Sequence, residues 1–151
     1  MGDLRAVWRA VPGDLLGRLV VRLSGARVTR TVEVEGVGLV HLAEDPCLGR
    51  WLDRVSRAPT AMTFGNVVVA RRPLDDALVR HEAEHVRQWS LLGPLFLPAY
   101  LAASIAARAR GDDRYRGNAM EAAAFAAAAV PRAVHTLSRY DTDRSSGSLR
   151  A

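Results

Sequence analysis

Apolar residues recur at helical spacing in five parts of the chain, which predicts five helices. These helices are expected over residues 14–23, 46–55, 73–92, 95–108 and 118–139. The first would bury a stripe that consists of Leu15, Leu16, Leu19, Val20 and Leu23. Asp45 followed by Pro46 is typical of a helix start, because Asp caps the first turn and Pro fits its first position. Pro131 is expected to kink or break the last helix.

Alternating apolar and polar residues predict strands in the first half of the chain. Residues 28–34 alternate in part and predict one strand, and a Glu35-Gly36 turn would join it to a second strand over residues 37–42. Residues 60–70 end in three consecutive valines, and this apolar run predicts a third strand.

The order of these elements predicts a single domain of the α+β class. A small sheet with helices in residues 1–70 would pack on a helical half in residues 73–139. The length of 151 residues is sufficient for one domain with its own core. We expect that domain over residues 1–140, and a disordered tail over the Ser-, Asp- and Arg-rich residues 141–151.

Charge and cysteine content limit the classes of partner. Lys and Arg together number 21 against 16 for Asp and Glu, which gives a net charge of +5, and every cation is an arginine. The arginines are spread along the chain and interrupted by acids, so no nucleic-acid binding is expected. A single cysteine excludes an intramolecular disulfide, and the first 18 residues lack the apolar core of a signal peptide. These features predict a cytoplasmic protein.

One uncharged segment is apolar enough to raise the question of membrane contact. Residues 90–107 carry no charge, and their length is at the lower limit for crossing a membrane. Gly93, Pro94 and Pro98 interrupt the segment, so a buried helix after a short loop is the favoured interpretation. The alternative is that the segment from Leu91 to Ala107 contacts a membrane surface or a partner, in which case the protein would be associated with a membrane.

The long predicted helix contains an HExxH motif, His81-Glu82-Ala83-Glu84-His85. Residues four apart project from the same helix face one turn apart, so both imidazoles can reach one zinc ion. Glu82 lies beside the first imidazole, where its carboxylate can reach a zinc-bound water and take the proton that zinc makes more acidic. The motif predicts His81 and His85 as zinc ligands and Glu82 as the general base.

A catalytic zinc ion normally has a third protein ligand. Glu121 is the favoured candidate, because a lone carboxylate in a helix that is otherwise almost entirely alanine requires a partner. His41, Cys47 and His135 are the other candidates along the chain. Asn118 offers an alternative explanation of Glu121, since the two have the spacing of a capping box in which the glutamate bonds to the helix start.

The motif and its flanking residues resemble a known group of enzymes. HExxH followed by a downstream glutamate resembles the gluzincins, a clan of zinc metallopeptidases, and the short chain resembles the minigluzincins. Residues 64–68, 81–88, 93–101 and 115–124 are in addition similar to small bacterial HExxH proteins. The resemblance covers about residues 60–127, and residues 1–59 match no group.

This resemblance implies a zincin-like core and specific roles. The implied zinc ligands are His81, His85 and Glu121, and the implied general base is Glu82. A strand over residues 63–70 would lie at the sheet edge and pair with an extended peptide or protein substrate. Gluzincins also use a Tyr or His to stabilise the oxyanion, and the candidates here are Tyr100, Tyr115 and His135.

The leading hypothesis is therefore a minimal zinc-dependent metallopeptidase. Two other functions stay open on the same residues. One is a metal-binding scaffold or interaction protein with little turnover, and the other is a metal-dependent enzyme that acts on a small molecule.

Overall fold

The computed structural model describes residues 4–55 and 60–137, which fold as an α+β domain and confirm the predicted class. The helices are α1 (Leu4–Leu23), α2 (Pro46–Val55), α3 (Asp76–Leu92), α4 (Phe96–Ala109) and α5 (Ala119–Ala129). The strands are β1 (Arg30–Val34), β2 (Gly38–Glu44), β3 (Ala61–Phe64), β4 (Val67–Ala70) and β5 (Val134–Leu137). A 3₁₀ turn, Gly93–Leu95, joins α3 to α4. The tail expected over residues 141–151 lies outside the described residues.

The strands form one mixed sheet in the order β3-β4-β2-β1-β5. β2 and β4 run parallel, and the other neighbouring pairs run antiparallel. β3 and β5 are therefore the two edges of the sheet.

Both faces of the sheet are covered. Side chains alternate between the faces along each strand, so the valines and leucines divide into two cores. One core joins the sheet to α3 and comprises Val32, Val34, Val40, Leu42, Val68, Ala70, Leu74, Val79, Ala83 and Val86. The other joins it to α1 and α2 and comprises Val20, Val21, Ala26, Ala43, Leu48, Leu52, Phe64, Val67 and Val69. α3 also packs extensively against α5, so it is buried on both sides.

Helix α1 packs through a different face from the one predicted. It begins at Leu4 rather than residue 14. Of the predicted stripe only Val20 is buried, and the exposed members are Leu15, Leu16, Leu19 and Leu23. A Cβ on Gly13 would stand 2.6 Å from the backbone nitrogen of Gly65 and 2.9 Å from the Trp89 ring. The helix thus approaches the β3–β4 hairpin too closely for side chains, and the glycine side of α1 is buried instead of the leucine side.

Residues 60–70 form a hairpin rather than the single predicted strand. β3 and β4 pair antiparallel around Gly65-Asn66, and Gly65 has a φ of 58°. A two-residue Gly-Asn loop is a strong hairpin signal because Gly adopts positive φ without strain. The Asp14 carboxylate accepts a hydrogen bond from the Asn66 amide and ties the hairpin to α1.

The last predicted helix breaks before Pro131, as expected, and the helix prediction is wrong for residues 130–137. α5 ends at Ala129, two residues before Pro131, and residues 134–137 form β5 at the edge of the sheet. Pro131 cannot continue a helix, and the residues after it pair with β1 in antiparallel register, Val34 opposite Val134.

Helix α4 departs from the buried helix favoured for its segment. Phe96 and Ala107 are buried, but Leu97, Leu101 and Ile105 are exposed. The uncharged segment therefore presents its aliphatic side chains to solvent.

Candidate metal centre

Helices α3 and α5 bring together two imidazoles and a carboxylate. His81 and His85 lie one turn apart on α3 with their ring centroids 5.0 Å apart, and Glu121 lies in the first turn of α5. His81 Nε2 is 3.2 Å from Glu121 Oε2, and His85 Nε2 is 3.4 Å from Glu121 Oε1. All three side chains are buried, and their candidate ligand atoms lie within 4.8 Å of one another.

The spacing and chemistry of this cluster fit a zinc ion. Ligand atoms about 2.0–2.1 Å from a tetrahedral zinc ion are about 3.3 Å apart, which is close to both nitrogen–oxygen distances. Glu121 Oε2 is buried and makes no hydrogen bond among the described residues. It lies 3.2 Å from His81 Nε2, and a cation bound between these two atoms would stabilise the buried carboxylate oxygen. Two imidazoles and a carboxylate are a common donor set for catalytic zinc.

Glu121 does not complete a capping box. Asn118 caps α5 through its side chain, which accepts from the amide of Met120. The Asn118 amide, which a capping box would pair with the glutamate, donates instead to the Tyr115 carbonyl. The Glu121 carboxylate is turned toward the histidines, so the capping alternative does not describe its contacts.

Gln88 fixes the orientation of His85, a role that the sequence pattern did not predict. Its side-chain oxygen is 2.9 Å from His85 Nδ1, and its side-chain nitrogen donates to the Met120 carbonyl on α5. With a proton on Nδ1, the Nε2 lone pair of His85 is free on the side of Glu121. Gln88 lies three residues after His85 and seven after His81, so its position on the same helix face was the available signal.

The electrostatics of the cluster keep Glu121 ionised. Burial alone would raise its pKa, but the two imidazoles and the Tyr100 hydroxyl outweigh burial and hold the pKa well below its usual range. Burial likewise lowers the pKa of His85, but the Glu121 carboxylate and the Glu82 charge outweigh it, so the pKa of His85 is raised above 6.5. Tyr100 Oη donates to Glu121 Oε1 at 2.6 Å. Glu121 thus supplies a buried negative charge next to the two imidazoles.

Glu82 lies beside the cluster in a cleft of about 250 Å³. Its carboxylate is buried, and Oε2 accepts a 2.6 Å hydrogen bond from the Thr63 hydroxyl on β3. The cleft is lined by Thr60, Ala61, Met62, Thr63, Phe64, Leu78, His81, Glu82, His85, Phe96, Leu97, Tyr100, Tyr115, Glu121 and Phe125. Thr63 was not identified as a site residue in the sequence, because its role depends on the pairing of β3.

The remaining candidate ligands lie elsewhere in the described chain. His41 is on β2 and contacts the hydroxyl of Thr31, Cys47 is at the start of α2, and His135 is exposed on β5. None of the three lines the cleft. Of the candidate oxyanion donors, Tyr100 and Tyr115 do line it.

Comparison with known proteins identifies no relative of this chain. No family model, no curated protein and no solved structure gives a significant match to this chain. The resemblance to gluzincins stays a prediction, and functional inference depends on the site itself.

Proposed function

We propose that this protein is a zinc-dependent hydrolase, and specifically a minimal metallopeptidase. The observation that carries the proposal is the buried convergence of His81, His85 and Glu121, with Glu82 in the same cleft. Zinc held by the first three residues would supply a Lewis acid that acidifies water and polarises a carbonyl group.

Glu82 has the position required of a general base. Thr63 donates to one of its two carboxylate oxygens, Oε2, which fixes the plane of the group. The other oxygen can accept a proton from water and later deliver it to the leaving amine. In this assignment Glu82 moves protons and does not hold the metal.

Tyr115 is the residue we assign to oxyanion stabilisation. Both hydroxyls interact with Glu121, but Tyr100 donates to it at 2.6 Å, whereas Tyr115 lines the cleft from the loop before α5 and is 46% exposed, so it can turn to a substrate. Burial and the negative charge of Glu121 raise the pKa of Tyr115, so its hydroxyl keeps its proton near neutral pH. A protonated hydroxyl in the cleft can donate to the charge that develops on a carbonyl oxygen.

The edge strand β3 supports a peptide rather than a small molecule as substrate. Met62 and Phe64 face Val69 and Val67 across the hairpin, and the Thr60 carbonyl bonds to the Arg71 amide. Hydrogen bonding alternates along an antiparallel pair, so the backbone groups of Ala61 and Thr63 point away from β4. The Thr63 carbonyl accepts from the Trp89 indole nitrogen at 3.1 Å, so an extended peptide could pair with the Ala61 backbone and the Thr63 amide beside Glu82.

The test combines metal analysis with hydrolysis. We expect about one zinc per chain in protein purified without a metal-affinity step, and chelator-sensitive cleavage of a diverse peptide library. Glu82→Gln should keep the zinc and lose cleavage by about 10²- to 10⁴-fold, because an amide cannot accept the proton. The matched control is Glu84→Gln, two residues along the same helix, whose side chain pairs with Arg87 and not with the cleft.

Three results would oppose the proposal. Protein refolded with excess zinc that retains no metal would refute the zinc site. Loss of zinc from Glu82→Gln would place that carboxylate on the metal. Stoichiometric zinc without cleavage of any library peptide would favour a binding scaffold or a small-molecule enzyme.

A further inference from the structure

Exposed aliphatic side chains are concentrated on two adjoining parts of the fold. Six of them define what we call the aliphatic face: Leu15 and Leu19 on α1, Leu95 in the 3₁₀ turn, and Leu97, Leu101 and Ile105 on α4. Each is 46–67% exposed, and α1 contacts the 3₁₀ turn directly. Exposed aliphatic side chains concentrated on neighbouring elements are typical of a surface that binds something.

The pattern on α4 is that of a helix lying on an apolar surface. Leu97, Leu101 and Ile105 are spaced four residues apart and therefore share one side of the helix. The segment Asp76–Ala109 is long and apolar enough to cross a membrane by length and composition. However, α3 packs on the sheet and α5 and holds the buried histidines, so α4 and the 3₁₀ turn are the parts available to contact lipid.

Three exposed arginines border the aliphatic face, while the exposed Asp112 and Asp113 follow the end of α4. Arg18 and Arg22 each follow a leucine of the face by three residues on α1, and Arg108 follows Ile105 by three residues on α4, so all three are its neighbours. All three arginines are exposed. An apolar helical surface bordered by cations is complementary to the surface of an anionic bilayer.

The aliphatic face also reaches the cleft. Leu97 belongs to the face and lines the cleft, and the neighbouring Phe96 and Tyr100 line the cleft from the same helix. A membrane in contact with the face would therefore lie beside the cleft that contains Glu82.

We propose that the aliphatic face docks on the surface of an anionic lipid bilayer and brings the cleft to polypeptide segments at that surface. The docking itself is independent of the zinc chemistry, whereas the choice of substrate rests on the proposed function. Aliphatic side chains enter the boundary between headgroups and acyl chains, while the arginines contact anionic headgroups.

Sedimentation of the full chain with lipid vesicles tests the docking. The protein should bind vesicles that contain phosphatidylglycerol, bind pure phosphatidylcholine vesicles more weakly, and lose the difference between them at high salt. The double variant Leu101→Glu/Ile105→Glu should reduce binding to both by at least about tenfold, because two charges enter the apolar contact. Arg18→Gln/Arg22→Gln should reduce binding to the anionic vesicles by about tenfold or more and leave phosphatidylcholine binding almost unchanged.

Leu39→Glu is the matched control for the leucine variants. Leu39 is 42% exposed but lies on β2, away from α1 and α4, so its variant should bind like the wild type. Circular dichroism checks that each variant keeps its helix content. No binding of the wild type, or equal loss in Leu39→Glu and the double variant, would overturn the docking. A third result would also overturn the docking: a wild-type dimer that dissociates in the double variant, with no vesicle binding by either protein. The aliphatic face would then join two copies of the chain.

Glu82→Gln separates this inference from the proposed function. It should bind vesicles as the wild type does, whatever happens to hydrolysis. For the wild type, a peptide with an acyl anchor in anionic vesicles should be cleaved at least about tenfold faster than the same peptide without the anchor. Equal cleavage rates would refute the proposal that docking brings the cleft to substrates at the membrane. Vesicle binding and zinc binding are each measured separately.

Discussion

Glu121→Gln is the substitution that tests the metal centre most directly. It keeps the size of the side chain and an oxygen that can accept the Tyr100 hydrogen bond, so α5 should still fold. It removes the negative charge that faces His81 and His85. An amide oxygen is a poor zinc ligand, so we expect a large loss of zinc affinity with little loss of helix content.

The size of that loss follows from the ligand count. Structural zinc sites with four ligands bind with about 10–16 kcal/mol, or about 2.5–4 kcal/mol per ligand. Since about 1.4 kcal/mol corresponds to a factor of ten, loss of one ligand should raise the Kd for zinc by about 100- to 1,000-fold.

Calorimetry and chelator competition measure this difference. Free zinc at 100 times the wild-type Kd stabilises the folded protein by about 2.7 kcal/mol, which raises the Tm of a domain of this size by about 5–11 °C. At the same zinc concentration the variant would be at or below its own Kd and gain no more than about 0.4 kcal/mol, or about 1–2 °C. Competition with a chelator of known affinity gives both Kd values independently of folding.

Asn118→Ala is the control for helix capping. Asn118 is fully buried, accepts from the Met120 amide, and donates to the Tyr100 carbonyl and the Ser104 hydroxyl. Its loss should lower the Tm of metal-free and zinc-loaded protein alike and leave the Kd for zinc within about threefold, because no zinc donor is removed. A Glu121→Gln variant that binds zinc within about threefold of the wild type, with Asn118→Ala weaker, would refute the ligand assignment.

Three further predictions follow from contacts described above. Gln88→Ala should weaken zinc binding by about 10- to 100-fold in the same chelator assay, because His85 loses the partner that orients its ring; an unchanged Kd would rule that role out. The raised pKa of His85 stabilises the metal-free protein below about pH 6.5 and ceases to do so as pH rises through that pKa. Protons compete with zinc for the histidines over the same pH range. Calorimetry should therefore show that the Tm difference between zinc-loaded and metal-free protein widens from about pH 6 to about pH 8. A constant difference would contradict the competition between protons and zinc. Gly13→Ala should destabilise by about 1–3 kcal/mol in denaturant unfolding, although Ala favours a helix, since its Cβ would overlap Gly65 and Trp89; a more stable variant would show that the contact relaxes freely.

Local patterns in the sequence were sufficient for much of the helical framework. Helices α2, α3 and α4 lie within three residues of the predicted bounds, because capping residues and glycine act over short distances. The position of both histidines on one helix face follows from helical geometry alone, and the structure has the same arrangement.

Features that depend on contacts distant in sequence were not predictable in this way. The leucines of α1 follow the helical pattern of a buried face, yet the close approach of Gly13 to Gly65 decides which side is buried. Residues 134–137 become a strand because β1 offers a free edge, which no local pattern reveals. The contact between Thr63 and Glu82 likewise needs the hairpin to be in place first.

The order of the site's components along the chain has a consequence for biosynthesis. At about 5–20 residues per second, a ribosome takes about 2–7 s to add the 36 residues that separate His85 from Glu121, and about a further 1–3 s to reach the end of β5. During that interval the nascent chain carries a histidine pair without its carboxylate, and the β1 edge of the sheet stands unpaired. A two-imidazole site would hold zinc weakly, so on the proposed function the metal would be acquired only after α5 has docked on α3.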